Sequence, residues 1–565
     1  MRRVLLTALG LALAACSPAG PSASTEEAIG SRVAARTLVL AFREPGTLTT
    51  RPLGEAGQSR TMVRELFNAQ IAQRDDRGEF RPYLVEALPQ LHTDTWRVLP
   101  DGRTETTYRL KPGLVWHDGT PLSPEDFVFS WQVHSNVAFG MARVPPFAFI
   151  ESVTASDNRT FMIRWARPYP AAATLSSPSG ATDDEFQPLP RHLLEQDVRE
   201  LPDNFAHHPY WTAEFVGLGP YRLEGWEPGA FLEARAFDRY VFGRPRIERV
   251  KATFISDPNT IVANLLAGEV DVSTDNSIGF ENAQVLKRAG WNGTIMTTAA
   301  TSWRITFFQF RPNLVSPRAI LDLRVRKALA HAVDRDGINE VVAGGNLDLA
   351  DSMLQAGEEF GPAAARGAEK YGYDLRRSAQ LMSEAGFSRG GDGFYVGPEG
   401  RFSASLSTAL SAGFEQEIYI MADGWRKTGY DVQEIIIPTA QALDFELAAS
   451  FPAMTTRTTR AGPSGVVNFT TQAIPTPENR WVGQNRAGWS NPEYDQLVDR
   501  FNTTLEPSER AQQVETFVRI LTSDLPAIPL YFNSGTFAYA AGLRGVQSVP
   551  AGGNQLSNLH EWELQ

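Results

Sequence analysis

The sequence predicts a multidomain, mixed α/β protein, and three observations carry that reading. At 565 residues the chain is too long for one ordinary hydrophobic core, which implies two or three domains. Helix and strand signals alternate from Arg36 to the C-terminus, the pattern of mixed α/β architecture. The composition, 42% hydrophobic and 21% charged, is that of a globular protein.

Taken in chain order, the first element is not part of the body. MRRVLLTALGLALAACSPAG has two arginines, an apolar run from Val4 to Leu13, small residues and then Cys16, the layout of a secretory signal. That run is short for a membrane span. Leu13-Ala14-Ala15-Cys16 resembles the bacterial lipobox, which implies cleavage before Cys16 and lipid attachment to its thiol; the alternative is an ordinary signal peptide that contains a cysteine. Residues 1–15 are therefore expected to be a lipoprotein signal peptide. Cys16 is the only cysteine, so no intramolecular disulfide is available. Residues 16–35, rich in Ser, Ala, Pro and Gly, are expected to form a flexible tether.

Arg36 to Phe42 (RTLVLAF) reads as the first strand of a buried sheet. Glu151 to Trp165 carries an extended pattern with a turn at Asp157-Asn158, and Gly217 to Ala234 reads as two strands around a Pro-Gly turn. Asp322, Asp334 and Asp374 each stand where a helix cap belongs. Gly386 falls just past the end of the third of these helices. Asn491-Pro492 starts a further helix, and Pro507 to Leu521 another, with Val514, Phe517, Val518 and Leu521 inward.

WHDGTPLSPEDFVFS (Trp116 to Ser130) invites a catalytic reading, since His117 and Asp118 stand together with Glu125 and Asp126 close by. Each residue also has a structural role. Ser123-Pro124-Glu125-Asp126 is a helix start, its acids placed at the positive end of the helix dipole. Asp118-Gly119 suits the tight turn before it, and Phe127, Val128 and Trp131 supply a buried stripe. The scaffolding reading is preferred. Other chemistry is thin: HExxH, P-loop and GxSxG patterns are lacking. GLGPYR breaks the dinucleotide fingerprint, and His207-His208 are adjacent and so diverge along an extended chain. No catalytic residue, metal site or cofactor is expected. Acidic residues outnumber basic ones by 65 to 53, for a net charge of -12 without a basic run, so nucleic acid is not an expected partner.

The order of motifs resembles the extracytoplasmic solute-binding proteins of peptide/nickel-type ABC importers, family 5. YRLKPGLVWHDGTPLSPEDFVFS is similar to that family's most recognisable segment. FRPYLVE, GLGPYRLEGWEPG, LLAGEVDVS, DLRVRKALAHAVDRDGI, YGYDLRRSAQLMSEAGF and GWSNPEYDQLV follow in the family's order, from about Thr37 to the end. The resemblance implies a two-lobed periplasmic-binding-protein clamp (type II, cluster C) with an additional inserted domain. Domain I would combine 36–67, 190–296 and 530–565; domain II would be inserted at 68–189; domain III, the second lobe, would span 297–529. Crossings near Trp303 and Pro529 would form the hinge. The implied function is capture of a peptide or related solute by lobe closure and delivery to permease subunits with their ATPase. A monomer anchored to a bacterial membrane through Cys16, in an extracytoplasmic compartment, is expected. A clamp-type receptor feeding signalling, or a secreted hydrolase, is the alternative.

The ligand-binding expectations depart from the peptide-binding members, many of which carry a tryptophan and then an aspartate that pairs with a peptide's amine. Within Asp444 to Gly465 the aromatic position falls near Phe451, and the aspartate position near Met454. Arg457 and Arg460 stand there instead, in what reads as a Thr-rich loop, and guanidinium groups suit carboxylate or phosphate. The alternative is that both are solvated. Trp303, Trp481 and Asn485 are further candidates for the ligand-binding site, as is Glu55 in the loop RPLGEAGQSR.

Overall fold

A computed structural model describes residues 36–43, 48–49, 62–136, 146–175, 186–200, 205, 207–298, 300–410, 414–438, 441, 444–548 and 554–565. Cys16 and Glu55 lie outside the described residues. Leu38–Phe42 (LVLAF) is buried except for the half-buried Val39. Burial on both faces is why its sequence runs continuously apolar instead of alternating. It lies parallel to Arg249–Phe254 and Val272–Ile278. The same seven-stranded sheet takes in Phe231–Ala236 and Tyr221–Glu227 on one side, and Gly535–Tyr539 and Thr294–Thr298 on the other. Gly229, at φ 77°, turns the hairpin between Tyr221–Glu227 and Phe231–Ala236, a left-handed conformation suited to glycine.

Two further sheets carry most of the remaining strands. Trp96–Val98, Thr104–Arg109, Thr160–Trp165 and Ile150–Ala155 form an antiparallel four-stranded sheet in that order. A five-stranded sheet runs Asp431–Ile437, Ser403–Ala409, Met454–Arg460, Ser302–Phe308 and Ala527–Phe532. The chain passes from the seven-stranded to the five-stranded sheet between Thr298 and Ser302, and returns between Phe532 and Gly535. Pro529 is therefore inside a strand, not at the crossing. The two crossings lie side by side, since Asn533 N–H donates to Ser302 O at 2.9 Å.

The helices start where local capping chemistry dictates. The Asp322, Asp334, Asp374 and Asn491 side chains accept first-turn N–H groups of Leu323–His331, Arg335–Ala343, Leu375–Glu384 and Pro492–Phe501. In each case an otherwise orphaned donor at the helix start is satisfied.

The helix of the WHDG segment, Pro124–Ser135, opens with the Asp126 carboxylate accepting Ser123 N–H at 2.9 Å. Asp126 also accepts Arg191 N–H at 3.1 Å, which ties this helix to the next. The buried stripe differs from the sequence expectation. Phe127 is buried, but Val128 and Trp131 are half-buried, and Phe129, Ser130, Val133 and His134 are buried instead. The helix is wedged between two apolar cores. Phe127 packs in the core that includes Phe161 and Trp165, and Phe129 with Val133 in the core beneath Leu38 and Phe42. A helix buried on opposite sides has no single amphipathic stripe to read.

His117 is structural in this turn. Its Nδ1 accepts Gly217 N–H at 3.1 Å, so its Nε2 carries the proton and donates to Gly219 O at 3.0 Å. Burial pushes its pKa down to about 4, with Arg222 nearby adding to the effect, so the ring is neutral at pH 7.

Candidate functional site

The parallel strands Ser403–Ala409 and Met454–Arg460 pair only at Leu406 with Met454 and Ser407 with Thr455. On its other edge Met454–Arg460 is paired along its whole length with Ser302–Phe308. Beyond Ser407 and Thr455 the backbone pairing of the two parallel strands stops, though Thr408 Oγ1 still donates to Thr456 O at 3.0 Å, and a cavity of about 230 Å³ opens beside the carboxyl ends of these strands. It is lined by Thr408, Thr456, Arg457, Thr459, Gln484 and Arg486, among others. Crevices at the carboxyl ends of parallel strands are where open α/β sheets hold ligands, because backbone groups there are no longer committed to neighbours.

Three arginines give the cavity its electrostatics, and among the described residues only Arg304 is neutralised by a carboxylate. Arg304 is 2% exposed and pairs through Nε and Nη2 with Glu417, at 3.1 and 2.7 Å. Burial alone would lower the pKa of Arg304, but Glu417 holds it raised. Tyr531 donates its hydroxyl to the same carboxylate. Glu417 comes from the helix Phe414–Lys427, so the pair joins that helix to the sheet.

Arg457 and Arg486 make no ion pair with a carboxylate among the described residues. Arg457 Nη2 donates to Ala448 O at 3.2 Å, while its buried Nε has no partner. Burial, and then repulsion from Arg486 and Arg304, lowers its pKa to about 10. Arg486 is 7% exposed, has its Nη1 buried without a partner, and is lowered by burial and by Arg311. Two desolvated guanidiniums facing one cavity, without a carboxylate for either, make a site that favours an anion.

The sequence candidates fall in different places. Arg457 lines the cavity. Arg460, three residues on in the same strand, is half-buried and is not among the lining residues. Trp303 and Phe451 are 1% and 5% exposed and sit in the apolar core with Phe469 and Trp489, not on the cavity wall. Met454 is fully buried in the opposing core with Leu406 and Ile418, so it does not occupy a ligand-facing position. Asn485 is also fully buried. Its amide donates to Phe469 O, Thr470 O and Trp489 O at 3.1, 3.0 and 2.7 Å, clamping the loop that presents Gln484 and Arg486. Trp481 is half-buried at φ 62°, directly after Arg480 at φ 53°, and consecutive left-handed non-glycine residues mark a strained turn in this loop. Sequence reasoning passed over Arg486 and Gln484. Only the fold shows that Arg486, and not the adjacent Asn485, faces the cavity. Among the described residues no group of three or more His, Cys, Asp or Glu is placed to hold a metal ion, and no helix is long and apolar enough to cross a membrane.

Comparison with known proteins places this geometry in a family. Residues 86–477 match the family described as bacterial extracellular solute-binding proteins, family 5. The chain is 22% identical to the oligopeptide-binding protein AppA of Bacillus subtilis, over 99% of this chain and 97% of that protein. It is also 22% identical to the dipeptide-binding protein DppE of the same organism, over 81% of each. Among solved structures, NikZ of Campylobacter jejuni, in complex with Ni(L-His), superposes with a TM-score of 0.72 at 20% identity, covering 93% of this chain and 99% of that one. AppA of B. subtilis with a bound nonapeptide gives 0.67 at 19% identity, covering 94% and 99%. These neighbours share the mixed α/β, two-lobed fold. The chain belongs to the bacterial extracellular solute-binding proteins of family 5.

Proposed function

We propose that this protein captures a peptide or related small solute bearing an acidic group and delivers it to the permease of an ABC importer. The observation that carries the reading is the cavity at Thr456–Thr459, where Arg457 and Arg486 stand desolvated and without a carboxylate partner among the described residues. A ligand carboxylate would supply the missing charge. Thr456, Thr459 and Gln484 line the same cavity and add neutral hydrogen-bonding groups for orientation. The relatives described as oligopeptide- and dipeptide-binding support peptides as the solute class.

Capture would proceed by closure of one lobe on the other about the paired crossings at 298–302 and 532–535. Moving such an equilibrium from 1:99 to 99:1 needs roughly 10⁴-fold tighter binding to the closed state, about 5.5 kcal/mol. In this reading a lipid on Cys16 tethers the protein outside the cytoplasm, near its transporter, and the body acts as a monomer.

Calorimetry against peptides offered as free acids and as C-terminal amides tests the proposal. Free acids are expected to bind with the amides weakened tenfold or more, and Arg457→Met is expected to remove the difference. Equal binding of both forms, unchanged in Arg457→Met, would overturn it. Cys16→Ala is expected to move the protein from the membrane to the soluble fraction.

A further inference from the structure

The WHDG turn builds a second recess, of about 330 Å³, that shares no lining residue with the cavity above. One wall is His117-Asp118-Gly119. The other is the hairpin of Tyr221–Glu227 and Phe231–Ala236 with the residues that follow it. Four arginines line it, Arg222, Arg235, Arg239 and Arg244, against two aspartates, Asp118 and Asp238. That surplus is local, since the whole chain carries a net charge of -12.

The arginines divide into two kinds. Arg235 pairs with Glu248 at 2.9 Å and Glu224 at 3.7 Å, and Arg244 pairs with Asp238 at 3.2 Å and also with Glu248. The Arg222 and Arg239 side chains make no hydrogen bond or ion pair among the described residues. The acid of the facing turn is already engaged: Asp118 accepts from His192 Nε2 at 2.6 Å and from Thr120 N–H at 2.9 Å.

The wall is held rigidly. His117 fixes the turn against Gly217 and Gly219 through both ring nitrogens, and its N–H donates to Gly217 O at 3.0 Å. Gly119, at φ 94°, leaves room for a guanidinium: a Cβ there would lie 2.7 Å from Arg239 Nη2. The turn thus makes space for Arg239 at the recess wall.

We propose that this recess binds a phosphate-type oxyanion between Arg222 and Arg239. Two unpaired guanidinium forks from separate segments suit a tetrahedral group with three or more oxygens better than a carboxylate, which one fork already satisfies. A recess of this size fits a small ligand. Free phosphate and a phospholipid headgroup present the same chemistry. Neither arginine belongs to the Arg457 cavity, so occupancy here is independent of solute capture.

Calorimetry of the full chain with inorganic phosphate at low ionic strength, with the Arg457 cavity filled by saturating free-acid peptide, is expected to show one saturable site. Arg222→Ala and Arg239→Ala should each weaken it at least tenfold, and the double variant should abolish it. Both residues are exposed, so the variants are expected to fold, with peptide binding as the check. Absence of saturable binding, or binding that survives in the double variant, would overturn the proposal. Sedimentation with phosphatidylglycerol vesicles, against phosphatidylcholine controls, separates the two sources. Arginine-dependent capture identifies a lipid headgroup, and phosphate binding without capture identifies the free anion.

Discussion

Replacing Arg457 by methionine should strengthen the fold and weaken the site. Methionine keeps an unbranched apolar stem, so the change removes charge with little loss of packing. Arg457 titrates at about 10, well below an ordinary guanidinium, and each decade of such a depression costs about 1.4 kcal/mol. The charged form therefore carries a penalty of about 3 kcal/mol. The sign is that of a base with a lowered folded-state pKa: the penalty is full at pH 7 and is relieved only as pH rises through 10. Against it stands one hydrogen bond to Ala448 O, worth about 1 kcal/mol. The net gain is about 2 kcal/mol, and for a body of this size ~1 kcal/mol corresponds to roughly 1 °C in Tm. A rise of about 2 °C in the unliganded protein is expected by scanning calorimetry. Affinity for a free-acid peptide should fall about 100-fold, since truncating one partner of a desolvated charge pair costs 2–5 kcal/mol. A fall in Tm together with unchanged affinity would refute the reasoning.

Three other perturbations follow from the same physics. Arg304→Met should destabilise by about 3–5 kcal/mol because it strands the Glu417 carboxylate, which has no exposed surface; the double variant Arg304→Met/Glu417→Met should recover most of that loss by thermal unfolding. Burial raises the pKa of Glu358 to about 7, so its charge costs stability progressively from about pH 4.5 up to 7 and fully above; Glu358→Gln should raise Tm at pH 8 and leave it unchanged at pH 4. His117, held neutral down to about pH 4, should withdraw stability as pH falls from about 6.5, where the unfolded chain takes up its proton, to 4, and its ring resonances should not titrate above pH 5 by NMR.

What could be read from the sequence was local chemistry. Asp322, Asp334, Asp374 and Asn491 cap helices because a short side chain one residue before a helix reaches only its first turn, whatever the rest of the fold does. Leu38–Phe42 announced a doubly covered strand through its unbroken apolar run. The site is different, because its cavity lies where two parallel strands stop pairing, and Ala409 and Met454 are far apart in the chain. Strand register decided the rest. The strand that brings Arg457 to the cavity wall begins by burying Met454, while the Phe451 just before it lies in the opposite core. A one-residue shift in register would have exchanged those faces. Arg486 escaped for a related reason. Asn485 looks like the polar ligand, yet all its donors hold backbone carbonyls, leaving its neighbour to face the gap.

In the proposed clamp the arginine cavity would bear on affinity and not on closure, because all its parts come from one lobe. Arg304, Thr408, Arg457, Gln484 and Arg486 all lie between residues 302 and 532, on the five-stranded sheet and its loops, so the repulsion between Arg457 and Arg486 exists whether or not the clamp is shut. A ligand carboxylate relieves it equally in both states. An interaction equal in both states shifts no equilibrium, however strong it is. If the protein closes as proposed, the roughly 5.5 kcal/mol needed for a 1:99 to 99:1 shift would then have to come from ligand surface buried against the lobe built on Leu38–Phe42. Arg457→Met should therefore raise Kd about 100-fold yet leave the closed fraction at saturating ligand unchanged, as read by small-angle scattering or by a fluorophore pair across the crossings. A saturated variant that stays open would show that the arginine contacts differ between the two states, and would place part of the hinge energetics in this cavity.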